Sequence, residues 1–355
     1  MAAKDKARLA GIDTALEPME ARSAERLPTG SEWQLEPKWD GFRCLVFREG
    51  ERVELKGRAK PLTRFFPEVV DAALKWPAER FVLDGELIIP AGQGLSFDAL
   101  QARLHPAESR IARLSRETPA SFVVFDALAI GEQQLMQAPL SERRAALESL
   151  FDEHQAPDGF VLSPATRDRR AAADWLAGKA GLDGVVAKRL DQAYTPGERT
   201  MIKVKNLRTA DCVIGGFRYE TAGRNVGSLL LGLYDDEGLL HHVGFTSSLA
   251  AKDKPALTRR LEAMVEPPGF TGDAPGGPSR WSTARSAEWQ PLRPELVVEV
   301  CYDHVTGHRF RHGTRLLRWR PDKAPATCSM DQITGHERLP SFLPKTAARA
   351  ARKVR

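Results

Sequence analysis

Short apolar runs bounded by polar or glycine-containing turns predict strands at Cys44–Phe47, Arg52–Leu55, Phe81–Ile89, Phe122–Ile130 and Gly184–Lys188. Apolar residues at helical spacing predict helices over Pro67–Trp76, Phe97–Leu104 and 141–152, where Leu147, Leu150 and Phe151 share a face. A further helix is expected across Arg169–Lys179. Strands and helices alternate irregularly up to about residue 206, which favours an α+β domain of mixed, mainly antiparallel sheets over a regular parallel one.

The pattern changes beyond residue 207. Strand-like runs at Cys212–Tyr219, Ser228–Tyr234, Leu239–Phe245 and Leu296–Tyr302 are separated by Gly and Asp turns. One helix interrupts them near 253–265, carrying Leu257, Leu261, Met264 and Val265 at i, i+4, i+7 and i+8. Several short strands with one helix suit a small Greek-key β-barrel of the OB type. The junction falls near Asn206–Ala210, and the Pro/Gly-rich stretch 267–279 reads as a loop within the second domain. The expected organisation is an N-terminal extension (1–17), an α+β domain (18–206), the OB-fold domain (207–330) and a basic tail (331–355).

Composition narrows the class. With 42% hydrophobic and 28% charged residues, the 355-residue chain reads as a globular protein with two cores. The cysteines at 44, 212, 301 and 328 are too widely spaced for a Cys-x-x-Cys clip and read as reduced thiols of a cytoplasmic protein. No run approaches the ~20 apolar residues of a membrane span, and no secretory leader or anchor is expected. The net charge of +5 points to a polyanionic partner. The cations concentrate at Arg309, Arg311, Arg315, Arg318, Arg320 and Lys323, interleaved with Phe310, Leu316, Leu317 and Trp319, so one side of that segment must be packed.

Candidate chemistry centres on Lys38 in Glu36-Pro37-Lys38-Trp39-Asp40-Gly41-Phe42-Arg43. A lysine is a nucleophile only when burial or neighbouring cations strip its proton. Further strings fit the task of holding a nucleotide against it. Arg58 offers a planar fork for a phosphate or ribose, Asp84-Gly85-Glu86 places carboxylates at a turn between apolar strands, and Phe125 offers a face for a base. Asp183 precedes Lys188 on one strand, and Lys203 and Lys205 project from one face of another. No Gly-rich phosphate loop occurs, so phosphates must be held mainly by side chains.

In their order these strings resemble the nucleotidyltransferase superfamily of ATP-dependent DNA ligases, RNA ligases and mRNA capping enzymes. Lys38-x-Asp40-Gly41 looks like motif I, Asp84-Gly85-Glu86 like motif III, Phe125 like motif IIIa, and Asp183 to Lys188 like motif IV. Lys203-x-Lys205 looks like motif V, and Arg318-Trp319-Arg320-Pro321-Asp322-Lys323 like motif VI. Lys38 to Arg43, Thr63 to Glu68 and Arg208 to Cys212 are similar to bacterial ligase C and ligase D enzymes. Motif IV usually opens with glutamate, so Asp183 implies either a water between carboxylate and metal or a larger share for Glu86.

The resemblance implies a nick-sealing, ATP-dependent DNA ligase serving repair, a monomer acting on nicked double-stranded DNA. Lys38 would carry AMP, with Asp40, Lys203 and Lys205 completing the catalytic set. Lys203 and Lys205 would favour the neutral form of Lys38 by repulsion. Glu36, Arg43, Arg58, Glu86, Phe125, Lys188, Lys203, Lys205, Arg320 and Lys323 would bind ATP, and Glu86 and Asp183 would hold Mg²⁺, or Mn²⁺ in its place. Arg58, Arg309, Arg311, Arg315 and Arg318 would meet DNA. The alternatives are an RNA ligase, a guanylyltransferase that caps RNA, and a non-catalytic OB-type nucleic-acid-binding protein.

Overall fold

The computed structural model describes residues 8–91, 94–176, 182–276, 288–334 and 343. They form two units that divide between Asn206 and Leu207, with Leu343 belonging to the first.

The first unit is built on a six-stranded sheet and a four-stranded one. In chain order its strands are β1 (Ala21–Ser23), β2 (Trp33–Pro37), β3 (Phe42–Glu49), β4 (Arg52–Gly57), β5 (Arg80–Ile88), β6 (Ser121–Ile130), β7 (Phe160–Leu162), β8 (Gly184–Arg189) and β9 (Met201–Lys205). Its helices are α1 (Pro67–Lys75), α2 (Phe97–Arg103), α3 (Glu108–Glu117), α4 (Leu140–Glu153) and α5 (Arg169–Leu176). The larger sheet runs β6-β5-β3-β4, with Gln133–Gln134 and β7 also pairing with β6. The smaller runs β1-β9-β8-β2. All pairings are antiparallel except β6 with β7 and β1 with β9.

The larger sheet's core is aromatic, with Trp76, Phe81, Phe122 and Phe160 buried in mutual edge contacts. Each such side chain contributes about 1.5–3 kcal/mol when fully buried. That is why the long apolar runs of β5 and β6 were the legible part. Residues 177–179 of the expected Arg169–Lys179 helix lie outside the described residues. The segment drawn as an N-terminal extension is no appendage: Leu9, Ala10 and Ile12 are buried in a core with Leu45, Phe47 and Leu128.

The second unit holds β10 (Arg208–Tyr219), β11 (Val226–Tyr234), β12 (Leu240–Thr246), α6 (Lys254–Glu262), β13 (Val297–Tyr302) and β14 (Arg315–Trp319). Its antiparallel sheet runs β12-β11-β10-β13-β14. A bridge between Thr246 and Thr314 brings the two edge strands together, in keeping with the partly open barrel of an OB fold. Two sequence expectations, on the end of helix α6 and the start of the tail, need correcting here. Helix α6 ends at Glu262, so Val265 lies beyond it and is 41% exposed. The basic stretch 315–319 is an edge strand. Residues 331–334 are not tail, because Ile333 is buried in this unit's core. Residues 277–279 of the expected loop, and the tail apart from 331–334 and 343, lie outside the described residues. No helix among the described residues is long and apolar enough to cross a membrane.

Candidate active site

Strand β8 assembles the centre. It pairs with β2 on one side, Val186 opposite Glu36, and with β9 on the other, Val186 opposite Lys203. The backbone stitches the ends together: Lys38 N donates to Gly184 O at 2.9 Å, Asp183 N to Lys38 O at 3.0 Å, and Asn206 N to Asp183 O at 2.9 Å. Motifs 145 residues apart in the chain thereby meet at one strand end.

Glycine is required at two of these positions. Gly184 has φ +136° and lies against the Val204 carbonyl, which a side chain would overlap. A Cβ at Gly41 would overlap the Leu87 carbonyl oxygen and meet Glu86 Cγ at 3.0 Å. The Gly of Lys-x-Asp-Gly is therefore what lets the Lys38 loop lie on β5 beside Glu86.

A cavity of about 560 Å³ opens here, lined by Glu36, Lys38, Arg43, Arg58, Glu86, Phe125, Lys188 and Lys203. Asp40, Asp183 and Lys205 do not line it. Asp40 nevertheless acts on Lys38 through its charge, and Lys205 acts on Lys203. Lys38 Nζ, its side chain 20% exposed, donates to Asp183 Oδ2, whose carboxylate is buried.

The electrostatics reverse one expectation. Burial opposes charge on Lys38, but Asp183, then Glu86 and Asp40, outweigh it and raise its pKa above the ordinary lysine value. Lys203 is the amine that is pulled down, by burial first and then by Lys38 and Lys205. Lys38 is thus held as an ammonium by Asp183. Glu86 is driven the other way, its pKa raised to about 7 by burial against the opposing pull of Arg43 and Lys38.

The remaining residues are pinned in ways the sequence did not reveal. Asp84-Gly85-Glu86 lies within continuous strand β5, not at a turn. Asp84 is fully buried and holds Arg43 by two 2.6 Å bonds, from Nε and Nη2, while accepting Tyr194 OH at 2.6 Å. Arg43 is therefore committed to Asp84 as well as facing the cavity. A β-bulge falls at Phe125, since Val124 opposes Gly85 and Asp126 opposes Asp84. Such a bulge re-aims a side chain, and here it brings the ring to the cavity. The ring is 6% exposed, with the Arg43 guanidinium 4.3 Å and the Lys188 amine 4.4 Å from its centroid. Lys188 is itself buried, bonded to Glu36 Oε2 at 2.8 Å.

Met19, Glu20, Arg22 and Arg199 also line the cavity, and sequence reasoning missed them. Glu20 bridges the exposed Arg58 and Arg199. The available signal was the position of Arg199, four residues before Lys203.

The remaining expected ligands belong to the second unit. Arg320 Nη1 donates to Asp211 Oδ1 at 2.8 Å, and Lys323 Nζ lies 3.3 Å from Asp211 Oδ2. Arg318 pairs with Glu299 at 2.6 Å. Arg309 Nη2 donates to His242 Nδ1 at 2.6 Å, and burial, with Arg309 and Arg218 behind it, lowers His242 to about 3. Arg315 is exposed on β14, and Arg311 is partly buried.

No cluster of three or more His, Cys, Asp or Glu suited to a metal exists among the described residues. Glu86 and Asp183 beside Lys38 nevertheless fit a hard divalent cation. Mg²⁺ commonly takes one or two carboxylates and completes its shell with water and substrate phosphates.

Residues 10–205 match the family model of the ATP dependent DNA ligase domain, and residues 222–323 match that of the ATP dependent DNA ligase C terminal region. The chain is 46% identical over 334 residues to DNA ligase C2 of Mycolicibacterium smegmatis, covering 89% of this chain and 93% of that protein. It is 43% identical over 334 residues to DNA ligase C of Mycobacterium tuberculosis, with the same coverage of 89% and 93%. A solved Lig E DNA ligase superposes with a TM-score of 0.51 at 16% identity, covering 85% of this chain and 99% of that one, a likeness of fold.

Proposed function

The chain belongs to the ATP-dependent DNA ligase family, and from that membership and the cavity around Lys38 we propose that it seals nicks in duplex DNA through a lysyl-AMP intermediate. The observation that carries the reading is the convergence of Lys38, Glu36, Glu86, Phe125, Lys188 and Lys203 on one cavity. Its setting is DNA repair, and the enzyme works in the cytoplasm as a monomer.

In the first step Lys38 Nζ attacks the α-phosphorus of ATP. A P–N bond forms, the bond to the β-phosphate oxygen breaks, and pyrophosphate leaves. Arg43 and Phe125 flank the nucleoside, while Lys203, with Lys205 beyond it, faces the phosphate on which charge develops. Lys38 must first surrender the proton that Asp183 holds on it, and at 20% exposure the amine can pass that proton to solvent water. Glu86 and Asp183 would hold Mg²⁺, or Mn²⁺, which when bound supplies positive charge that competes with the Lys38 ammonium for those carboxylates and steadies the phosphate oxygens. Arg320 and Lys323 act on the departing pyrophosphate.

In the second step the 5′-phosphate at the nick attacks the adenylate phosphorus, breaking the P–N bond and returning Lys38 to the amine. In the third the 3′-hydroxyl attacks the activated 5′-phosphate, and AMP leaves as the backbone closes. The supporting groups are cations and carboxylates arranged for charge on phosphorus, as phosphoryl-type transfer requires. Arg58, Arg309, Arg311, Arg315 and Arg318 meet DNA phosphates, so binding is salt-dependent and indifferent to sequence.

The test is covalent labelling with radioactive ATP followed by sealing of nicked DNA. Wild-type protein takes up label and Lys38→Ala does not. Equal labelling of the variant removes the nucleophile assignment, and sealing of nicked RNA in preference to DNA removes the substrate assignment.

A further inference from the structure

Asp211 is a partly buried carboxylate to which neither the family motifs nor the cavity assigns a role. It lies on β10, one strand from β13 and two from β14, opposite Glu299, which is in turn opposite Arg318. Its two oxygens receive different cations: Oδ1 takes Arg320 Nη1 at 2.8 Å, and Oδ2 lies 3.3 Å from Lys323 Nζ. Its own backbone is clamped by the Gln332 side chain, which accepts from Asp211 N at 2.9 Å and donates to Asp211 O at 3.0 Å. The carboxylate is 12% exposed and Arg320 16% exposed, so this is a set geometry and not a mobile surface pair.

Asp322 does a different job. It grips Arg320 through Nε and Nη2, at 3.0 and 2.9 Å, but is 63% exposed. Between them the two acids use one Arg320 N–H on each nitrogen, and Glu299 Oε2 lies 4.0 Å from Nη1, so Nη2 keeps a second hydrogen and Lys323 further hydrogens for another anion. Asp211 alone, among the described residues, is recorded touching both cations.

We propose that Asp211 is a positioning residue for the first step: it fixes Arg320 and Lys323 at one spacing so that they meet the leaving pyrophosphate as a preformed pair. This rests on the reading of those two cations given above. Arginine and lysine are long and rotamer-rich, and left alone they would have to be ordered during the reaction. Tied to one clamped carboxylate, they are ordered beforehand, and displacement by about 1 Å can cost on the order of 100-fold in rate.

The experiment compares wild type, D211N, D211E, R320A and K323A in the full-length protein. Single-turnover self-adenylation with labelled ATP and sealing of a pre-adenylated nick are measured separately, and thermal melting checks the fold. D211N should slow self-adenylation by roughly 10- to 100-fold while sealing of the pre-adenylated nick continues at the wild-type rate. D211E, which keeps the charge, should give a smaller loss in the same step, and carries the test alone if D211N fails to fold. Equal slowing of both steps overturns the proposal, because a merely structural carboxylate would do that. Unchanged self-adenylation in the Asp211 variants, with R320A and K323A slowed, also overturns it. If R320A and K323A adenylate normally, the pyrophosphate assignment itself has failed, and the proposal with it.

Discussion

Asp84→Ala tests the idea that the nucleotide cavity is held by a buried anchor rather than by its lining residues alone. The carboxylate is fully buried and accepts from Arg43 Nε, Arg43 Nη2 and Tyr194 OH, each at 2.6 Å. Summing about 1.5–3 kcal/mol for each of three hydrogen bonds to a charged group gives roughly 5–9 kcal/mol. That overshoots, because breaking a buried ion pair by removing one partner costs about 3–5 kcal/mol. Arg43 is 24% exposed and recovers some hydration, which places the expected loss near the lower end, about 3 kcal/mol. Against a typical ~5–15 kcal/mol of total stability the unit survives. Urea titration of the full chain, read by hydrogen exchange in β3 and β5, measures the first unit specifically. Tyr194→Phe and the double variant complete a cycle whose coupling should exceed about 1 kcal/mol, since both side chains share one carboxylate. Asp84→Asn should in addition raise KM for ATP, because Arg43 loses its anchor beside Phe125. A change below about 0.5 kcal/mol for Asp84→Ala, or additivity with Tyr194→Phe, would refute the reasoning.

Glu86 binds a proton in the folded state up to about pH 7 but only to 4.5 when unfolded, so its contribution to stability is full below 4.5 and is lost as pH rises through 7. Glu86→Gln should flatten that slope, worth about 2 kcal/mol after allowance for partial exposure, in melts run across this window. Cation affinity at the same carboxyl should weaken as pH falls below 7, measurable by calorimetry with Mg²⁺. Lys38 should resist an amine-directed acylating probe at neutral pH in metal-free protein, and Asp183→Asn should increase its labelling, read by peptide mass spectrometry; an unreactive variant would show that Asp183 is not what holds the proton. Gly41→Ala should slow self-adenylation by on the order of 100-fold, because the Lys38 loop must shift off β5. An undisturbed rate in that variant contradicts the close approach to Leu87.

The parts of the fold that could be read from the sequence are those whose burial is decided locally. From Phe122 strand β6 is apolar on both faces apart from Asp126, and from Phe81 β5 is apolar on either side of Asp84-Gly85-Glu86, so their apolar runs announced themselves. Strand β2 did not, since Gln34 and Glu36 interrupt its apolar residues, and both are buried only because Lys188 arrives from β8 to pair with Glu36. Helix α3 escaped because Ile111 is its one buried residue, leaving no apolar face to count. Strand β14 read as a basic surface because it is an edge strand, mostly exposed. Among site residues, the motif order pointed to Glu36, Lys38, Arg43, Arg58, Glu86, Phe125, Lys188 and Lys203 on the cavity wall, but not to residues 18–23 or Arg199. The charge state of Lys38 could not be read, because it depends on a carboxylate 145 positions away and on its distance, which motif spacing does not encode.

That charge state alters how the site must work. A lysine surrounded by cations would be a nucleophile from the outset, reactive toward any electrophile entering the cavity. Lys38 is instead held by Asp183, with Glu86 and Asp40 adding to the pull that raises its pKa. An incoming triphosphate is an anion and by itself would tighten the proton on Lys38 further. On the proposed mechanism positive charge enters with it, and the two carboxylates that restrain Lys38 would receive that charge. The aspartate at position 183 fits this double duty. Its side chain reaches Lys38 Nζ directly while its backbone N–H is bonded to the Lys38 carbonyl. On the proposed mechanism, restraint and activation of Lys38 become two states of one pair of carboxylates, while burial, Lys38 and Lys205 lower the pKa of Lys203.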